Sequence, residues 1–103
     1  MTYNELTAAL EATGYPVAEG AFSTDSKPEM PYITYQRTGD RAFYADGRVF
    51  WYAGAVEIHL YTKSKDAAAE AAVREALANT GYIWAEARIP AQDCYDIKIN
   101  LEV

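Results

Sequence analysis

Residues 42–63 read AFYADGRVFWYAGAVEIHLYTK, and the fold turns on how this stretch is read. Asp46-Gly47 is a two-residue hairpin signal, because glycine reaches the left-handed backbone region that tight turns require. The runs on either side are rich in aromatic and β-branched residues, which suit strands. Beyond Gly54, which the pattern marks as a bulge, residues 55–62 alternate. Val56, Ile58 and Leu60 point one way, and Glu57, His59 and Tyr61 point the other. The stretch therefore predicts an antiparallel hairpin with one apolar and one polar face along its second half.

Working outward, YITYQRT at 32–38 predicts a further strand, and Pro31 just before it fits a strand start. Gly39-Asp40-Arg41 reads as a turn or loop. Residues 23–31 are polar and carry Pro28 and Pro31, so they form a loop, and 17–22 form a short edge strand. Residues 2–13 predict a helix. Thr2 and Glu5 have capping-box spacing, Leu6, Ala9, Leu10 and Thr13 follow the helical period with Tyr3 on the same side, and Gly14 and Pro16 end it.

Ser64 opens a second helix with Asp66 in its first turn, and Gly81 closes it. Its stripe of Ala69, Ala72, Val73, Ala76 and Leu77 is mostly alanine, which lets the helix lie close against a sheet. YIWAEARI (82–89) and CYDIKINLEV (94–103) are two closing strands. In the last, Tyr95, Ile97, Ile99 and Leu101 share one face, and Asp96, Lys98 and Asn100 the other. No β–helix–β alternation runs through the chain, so a doubly wound parallel sheet is not expected. The expectation is an α+β fold over residues 1–103, a single domain with a mainly antiparallel sheet and two helices packed on one face.

The chain has 103 residues, nine basic and fifteen acidic, for a net charge of −6. Phosphate-backbone binding depends on Lys and Arg releasing counterions, so specific binding to nucleic acid or to anionic lipid is not expected. The opening residues lack the basic and apolar blocks of a secretory signal, and no apolar run approaches bilayer length, so no membrane contact and an intracellular setting are expected. A single cysteine, Cys94, and a single histidine, His59, do not make a metal site without carboxylates at close spacing. The six glycines are scattered and form no phosphate-cradling run. No spacing singles out a catalytic pair among the carboxylates. The expectations are accordingly no metal, no cofactor and no enzymatic activity, with Cys94 buried and His59 partly exposed or hydrogen-bonded in a structural role.

The strongest compositional signal is nine Tyr and two Trp, side chains with a large apolar body and a polar edge that suit interfaces. In VFWY (49–52), Phe50 and Tyr52 share one side of the strand, and Val49 and Trp51 the other. Both faces are then apolar, although helices cover only one face of the sheet. Part of the cluster is expected in the core and part in a protein–protein contact. The candidate contact residues are Tyr44, Asp46, Arg48, Phe50, Trp51 and Tyr52, with His59 and Tyr61 extending the patch.

Taken together, PYITYQR after a proline-bearing loop, FYADGRVFWY, VEIHLYTKSKDAAAEAAVREAL and the terminal YDIKINLEV resemble the small tail-completion, or tail-terminator, proteins of long-tailed phages and Gram-positive prophages. The likeness runs in order along nearly the whole chain. LYTKSKD leading into the helix is its most specific piece; Asp46-Gly47 stands where that family often has Asp-Asn. The resemblance implies a virion protein of the tail and neck, assembled in the host bacterial cytoplasm. It implies a homo-oligomeric ring, commonly a hexamer, that caps the tail tube protein and meets the head-side connector protein while DNA passes through without specific binding. Six copies at −6 each would carry about −36, and an acidic channel repels phosphates. A head-closure protein or tube subunit is the neighbouring alternative, and a small ligand-binding or enzymatic α+β domain is the alternative from another class.

Overall fold

The computed structural model describes residues 1–45 and 47–103, leaving aside the side chains of residues 41, 43–45 and 49–53. Among the described residues, α1 is Tyr3–Glu11, β1 Val17–Glu19, β2 Tyr32–Ala45, β3 Arg48–Thr62, α2 Ala67–Ala76, β4 Ile83–Ile89 and β5 Cys94–Glu102, with a 3-10 turn at Pro90–Gln92 between β4 and β5. The strands form one sheet in the order β1-β2-β3-β5-β4. β1 runs parallel to β2, and every other pairing is antiparallel. The fold is α+β.

Strand register explains where the core sits. Cross-strand partners share a face, so Tyr35, Ile58, Ile99 and Trp84 form one row, and Ile33, Leu60 and Ile97 the next. Leu6 and Leu10 of α1, with Ala69 and Val73 of α2 and Leu77 at its end, join this same cluster and are fully buried. Both helices therefore cover one face. α1 is held over β2. Its Tyr3 ring packs on Tyr35 at 5.6 Å, the Thr7 hydroxyl donates to the Tyr35 oxygen at 3.0 Å, and the Tyr3 hydroxyl donates to Glu19 of β1 at 2.7 Å. α2 is held over β4, where the Arg74 guanidinium lies 3.8 Å from the Trp84 ring centre and donates to the Tyr82 oxygen. Lys65, just before α2, reaches both Glu70 and Glu86.

Several boundaries differ from the sequence reading, each for a local reason. The Thr2–Glu5 capping box is present. The second helix is capped instead by Asp66, whose carboxylate accepts the Ala69 N–H at 3.0 Å; Ser64 lies outside it. That helix ends at Ala76, before Gly81. Gly39-Asp40-Arg41 is not a turn, since these residues pair with Ala55, Gly54 and Ala53. Two register shifts occur: one leaves Thr38 of β2 unpaired between Arg37 and Gly39, and the other leaves Phe50 of β3 unpaired opposite Phe43 and Tyr44, so neither falls at Gly54. Such a bulge inserts an extra residue and lets the strand run on. The edge strand is three residues long, Val17–Glu19.

β2 and β3 outrun the rest of the sheet. β5 accompanies β3 only as far as Ala55, opposite Glu102, with the Val103 and Gly54 backbones exchanging two hydrogen bonds at the limit. Past that point β2 and β3 pair only with each other, up to Ala45 opposite Arg48, where Gly47 has φ +76°. At about 3.3 Å per residue, this two-stranded ribbon extends roughly 20 Å beyond the body. The molecule measures 51 × 25 × 23 Å with a radius of gyration of 15.1 Å, against about 13 Å for a compact chain of this length.

Candidate functional site

Two regions carry the candidate residues: the ribbon, and the sheet face turned away from the helices. On the ribbon, Arg48 is exposed. The side chains of Tyr44, Phe50, Trp51 and Tyr52, and Asp46 as a whole, lie outside the described residues. His59 and Tyr61 do not adjoin Arg48. All three belong to one strand, β3, and about 35 Å of extended chain separates Arg48 from His59. Among the described candidates, Arg48 thus lies apart from His59 and Tyr61 along β3.

The open face is built in cross-strand rows. Tyr32, Tyr61, Asp96 and Ala87 form one, Thr34, His59, Lys98 and Ala85 the second, and Gln36, Glu57, Asn100 and Ile83 the third. At its centre the His59 ring is held from both ends. Nε2 lies 2.6 Å from Glu57 Oε1, and Nδ1 lies 2.8 Å from Asp96 Oδ1. The ring stacks on Tyr61, with centroids 5.7 Å apart and planes inclined by 12°. Lys98 Nζ stands 3.8 Å from the other oxygen of Glu57. The His59, Glu57 and Asp96 side chains are each about one-fifth exposed (19%, 21% and 19%). Burial opposes charge on His59, but the hydrogen bonds to Asp96 and Glu57 outweigh it and raise its pKa above the ordinary value. Burial, reinforced by the Asp96 charge, also pushes the Tyr61 hydroxyl up.

This arrangement holds charge rather than offering a free base, since each ring nitrogen already faces a carboxylate oxygen at hydrogen-bonding distance. Among the described residues, no group of three or more His, Cys, Asp or Glu could hold a metal ion, and no helix is long and apolar enough to cross a membrane. Cys94 is buried and reduced. Sequence reasoning missed Asp96 as the partner of His59. Glu57 was accessible to it, because residues two apart in a strand share a face. Asp96 becomes a partner only once β5 is known to lie beside β3.

At the base of β2 and β3, a cleft of about 330 Å³ opens between the loop after β1 and the open face. Phe22, Lys27, Tyr32, Tyr61, Ile89 and Gln92 are among its walls. The Phe22 and Tyr32 rings meet edge to face at 5.4 Å, and Lys27 Nζ lies 5.8 Å from the Tyr32 ring centre.

No family model matches the sequence, and no curated protein matches it.

Proposed function

We propose that this protein is a structural subunit of a phage or prophage virion, a ring-forming tail terminator that closes the tail tube and joins it to the head connector. One observation carries the reading: the β2–β3 ribbon stands clear of the helix-covered body. A two-stranded ribbon is marginal in water on its own, and this one has Phe43, Tyr44, Phe50, Trp51 and Tyr52 in its sequence. Those residue types are enriched where one protein anchors in another. A closed ring needs a heterologous contact, one surface meeting a different one. A projecting arm meeting the body of the next copy supplies that asymmetry. The resemblance in the PYITYQR, LYTKSKD and terminal-strand motifs gives the arm its setting, and the net charge of −6 suits a channel through which DNA slides.

Native mass spectrometry and light scattering on the purified chain, alone and with tube protein, test the reading. A ring, hexameric on this proposal, is the expected species under at least one of those conditions. A chain that stays monomeric at high concentration and with the tube protein present removes the ring. The cleft beside Tyr32 and Tyr61 would then favour a small ligand-binding domain, because its volume falls at the low end of the roughly 300–1,000 Å³ typical of such sites.

A further inference from the structure

We propose that Glu57, His59 and Asp96 form a proton-operated clamp on the open face of the sheet, in which a doubly protonated imidazolium ties β3 to β5 and loss of its proton undoes one of the two ties. The inference rests on the fold alone and is independent of the ring reading.

The geometry argues it. A neutral imidazole has one N–H, while the imidazolium has two. With carboxylate oxygens 2.6 Å and 2.8 Å from the two ring nitrogens, only the imidazolium donates to both. In the neutral ring, one nitrogen lone pair must face a carboxylate at contact distance, so one hydrogen bond becomes a repulsion. Glu57 is on the same strand as His59, whereas Asp96 lies on β5, so the His59–Asp96 bond is the one that crosses between strands. β5 in turn carries β4, whose hydrogen-bonded sheet neighbour it is.

The groups around the ring make the balance explicit. From β3 come Glu57 and Tyr61, and from β5 Asp96 and Lys98. β2 presents the neutral Thr34 opposite the ring, and in the same rows β4 presents Ala85 and Ala87. The helices pack on the opposite face. With His59 protonated, its charge and that of Lys98 balance the two carboxylates. When the proton leaves for solvent, the cluster carries one net negative charge. Lys98 is half-exposed and 3.8 Å from Glu57, so solvent screens it and it replaces little of the lost attraction.

The direction of the pH effect follows. The proton is held more tightly in the folded chain than in the unfolded one, where the ordinary value is about 6.5. The clamp's stabilisation is therefore complete below about pH 6.5 and is lost as pH rises through the folded-state pKa.

The chain contains one histidine, so a single imidazole C2–H resonance reports the clamp in the intact protein. Its NMR titration is expected to have a midpoint above about 6.5, moving down in Glu57→Gln and in Asp96→Asn. Urea unfolding of the wild type should show a midpoint that falls as pH rises from about 6.5 through the observed titration, with the fall absent in His59→Gln. A wild-type titration midpoint at or below about 6.5 overturns the clamp. So does an unfolding midpoint that falls equally in His59→Gln. If His59→Gln does not fold, the titrations of the two carboxylate variants decide, and an unmoved midpoint in both refutes the proposal.

Discussion

The face assignment of the sheet is open to a sharp test, because the same chemical change at two isoleucines should have opposite consequences. Ile58 lies on the central strand, fully buried, between Tyr35 on β2 and Ile99 on β5. Ile83 begins the edge strand β4 and is 70% exposed. Replacing Ile58 by alanine removes buried methyl and methylene groups and leaves a cavity roofed by the helices, a change that costs about 2–5 kcal/mol. A domain of this size has roughly 5–15 kcal/mol of stability in total. A loss of about 3 kcal/mol would lower the melting temperature by about 12–20 °C. Ile83→Ala should cost less than about 1 kcal/mol, the span of the strand-propensity scale itself, because little burial is lost. Urea unfolding of the monomeric chain measures both, with an unchanged denaturant slope indicating a change in stability rather than in the unfolded state. Equal losses at the two positions, or an Ile83→Ala loss exceeding that of Ile58→Ala, would refute the register and with it the separation of a helix-covered face from an open one.

The remaining predictions address other parts of the structure. Asp66→Ala removes the acceptor for the Ala69 N–H and should cost about 1 kcal/mol in urea unfolding, with Asp66→Asn retaining most of it. Burial, then the hydrogen bond to Glu19, push the Tyr3 hydroxyl up to about 12. The wild type should therefore lose stability as pH rises from about 10 through 12, a loss that Tyr3→Phe diminishes in unfolding midpoints measured across that window. On the proposed ring reading, Trp51→Glu should abolish ring formation in native mass spectrometry while the circular dichroism of a folded monomer persists; loss of the fold would return Trp51 to the core.

How much of this was legible in the sequence depended on whether the signal was local. The alternation Val56-Ile58-Leu60 against Glu57-His59-Tyr61 needs only a strand, and the burial pattern of β3 follows it. The alternation of Ile97, Ile99 and Leu101 in β5 and the stripe through Ala69, Val73 and Leu77 are equally local and equally visible. The Thr2–Glu5 box was readable because both partners lie within one turn. Gly39-Asp40-Arg41 misled because its composition favours turns, and only the opposing strand, through Ala53, Gly54 and Ala55, holds it extended. Ser64 and Asp66 are both good caps, and nothing in the residue types distinguishes them. The parallel pairing of β1 and the meeting of Asp96 with His59 depend on strand order, which alternation does not encode.

Strand order also bears on the ribbon. Within the body, β3 is flanked by β2 and β5, so its backbone groups are paired on both sides. Beyond Ala55 its outer side loses β5, and β2 has already lost β1 after Tyr35. The ribbon therefore presents two open edges, and an open edge is a template for another chain. Proteins that must stay monomeric keep such edges short, charged or covered. Here the edge is long, and among the described side chains Asp40 and Arg48 carry charge along it. Those charges oppose indiscriminate edge-to-edge stacking without supplying the apolar support that a free ribbon lacks. A partner that supplies this support to one copy while offering its own ribbon to a third makes a head-to-tail chain. Such a chain ends either as a fibre or as a closed ring. On the tail-terminator reading the rotation per copy closes the ring, and each ribbon rests on the body of its neighbour.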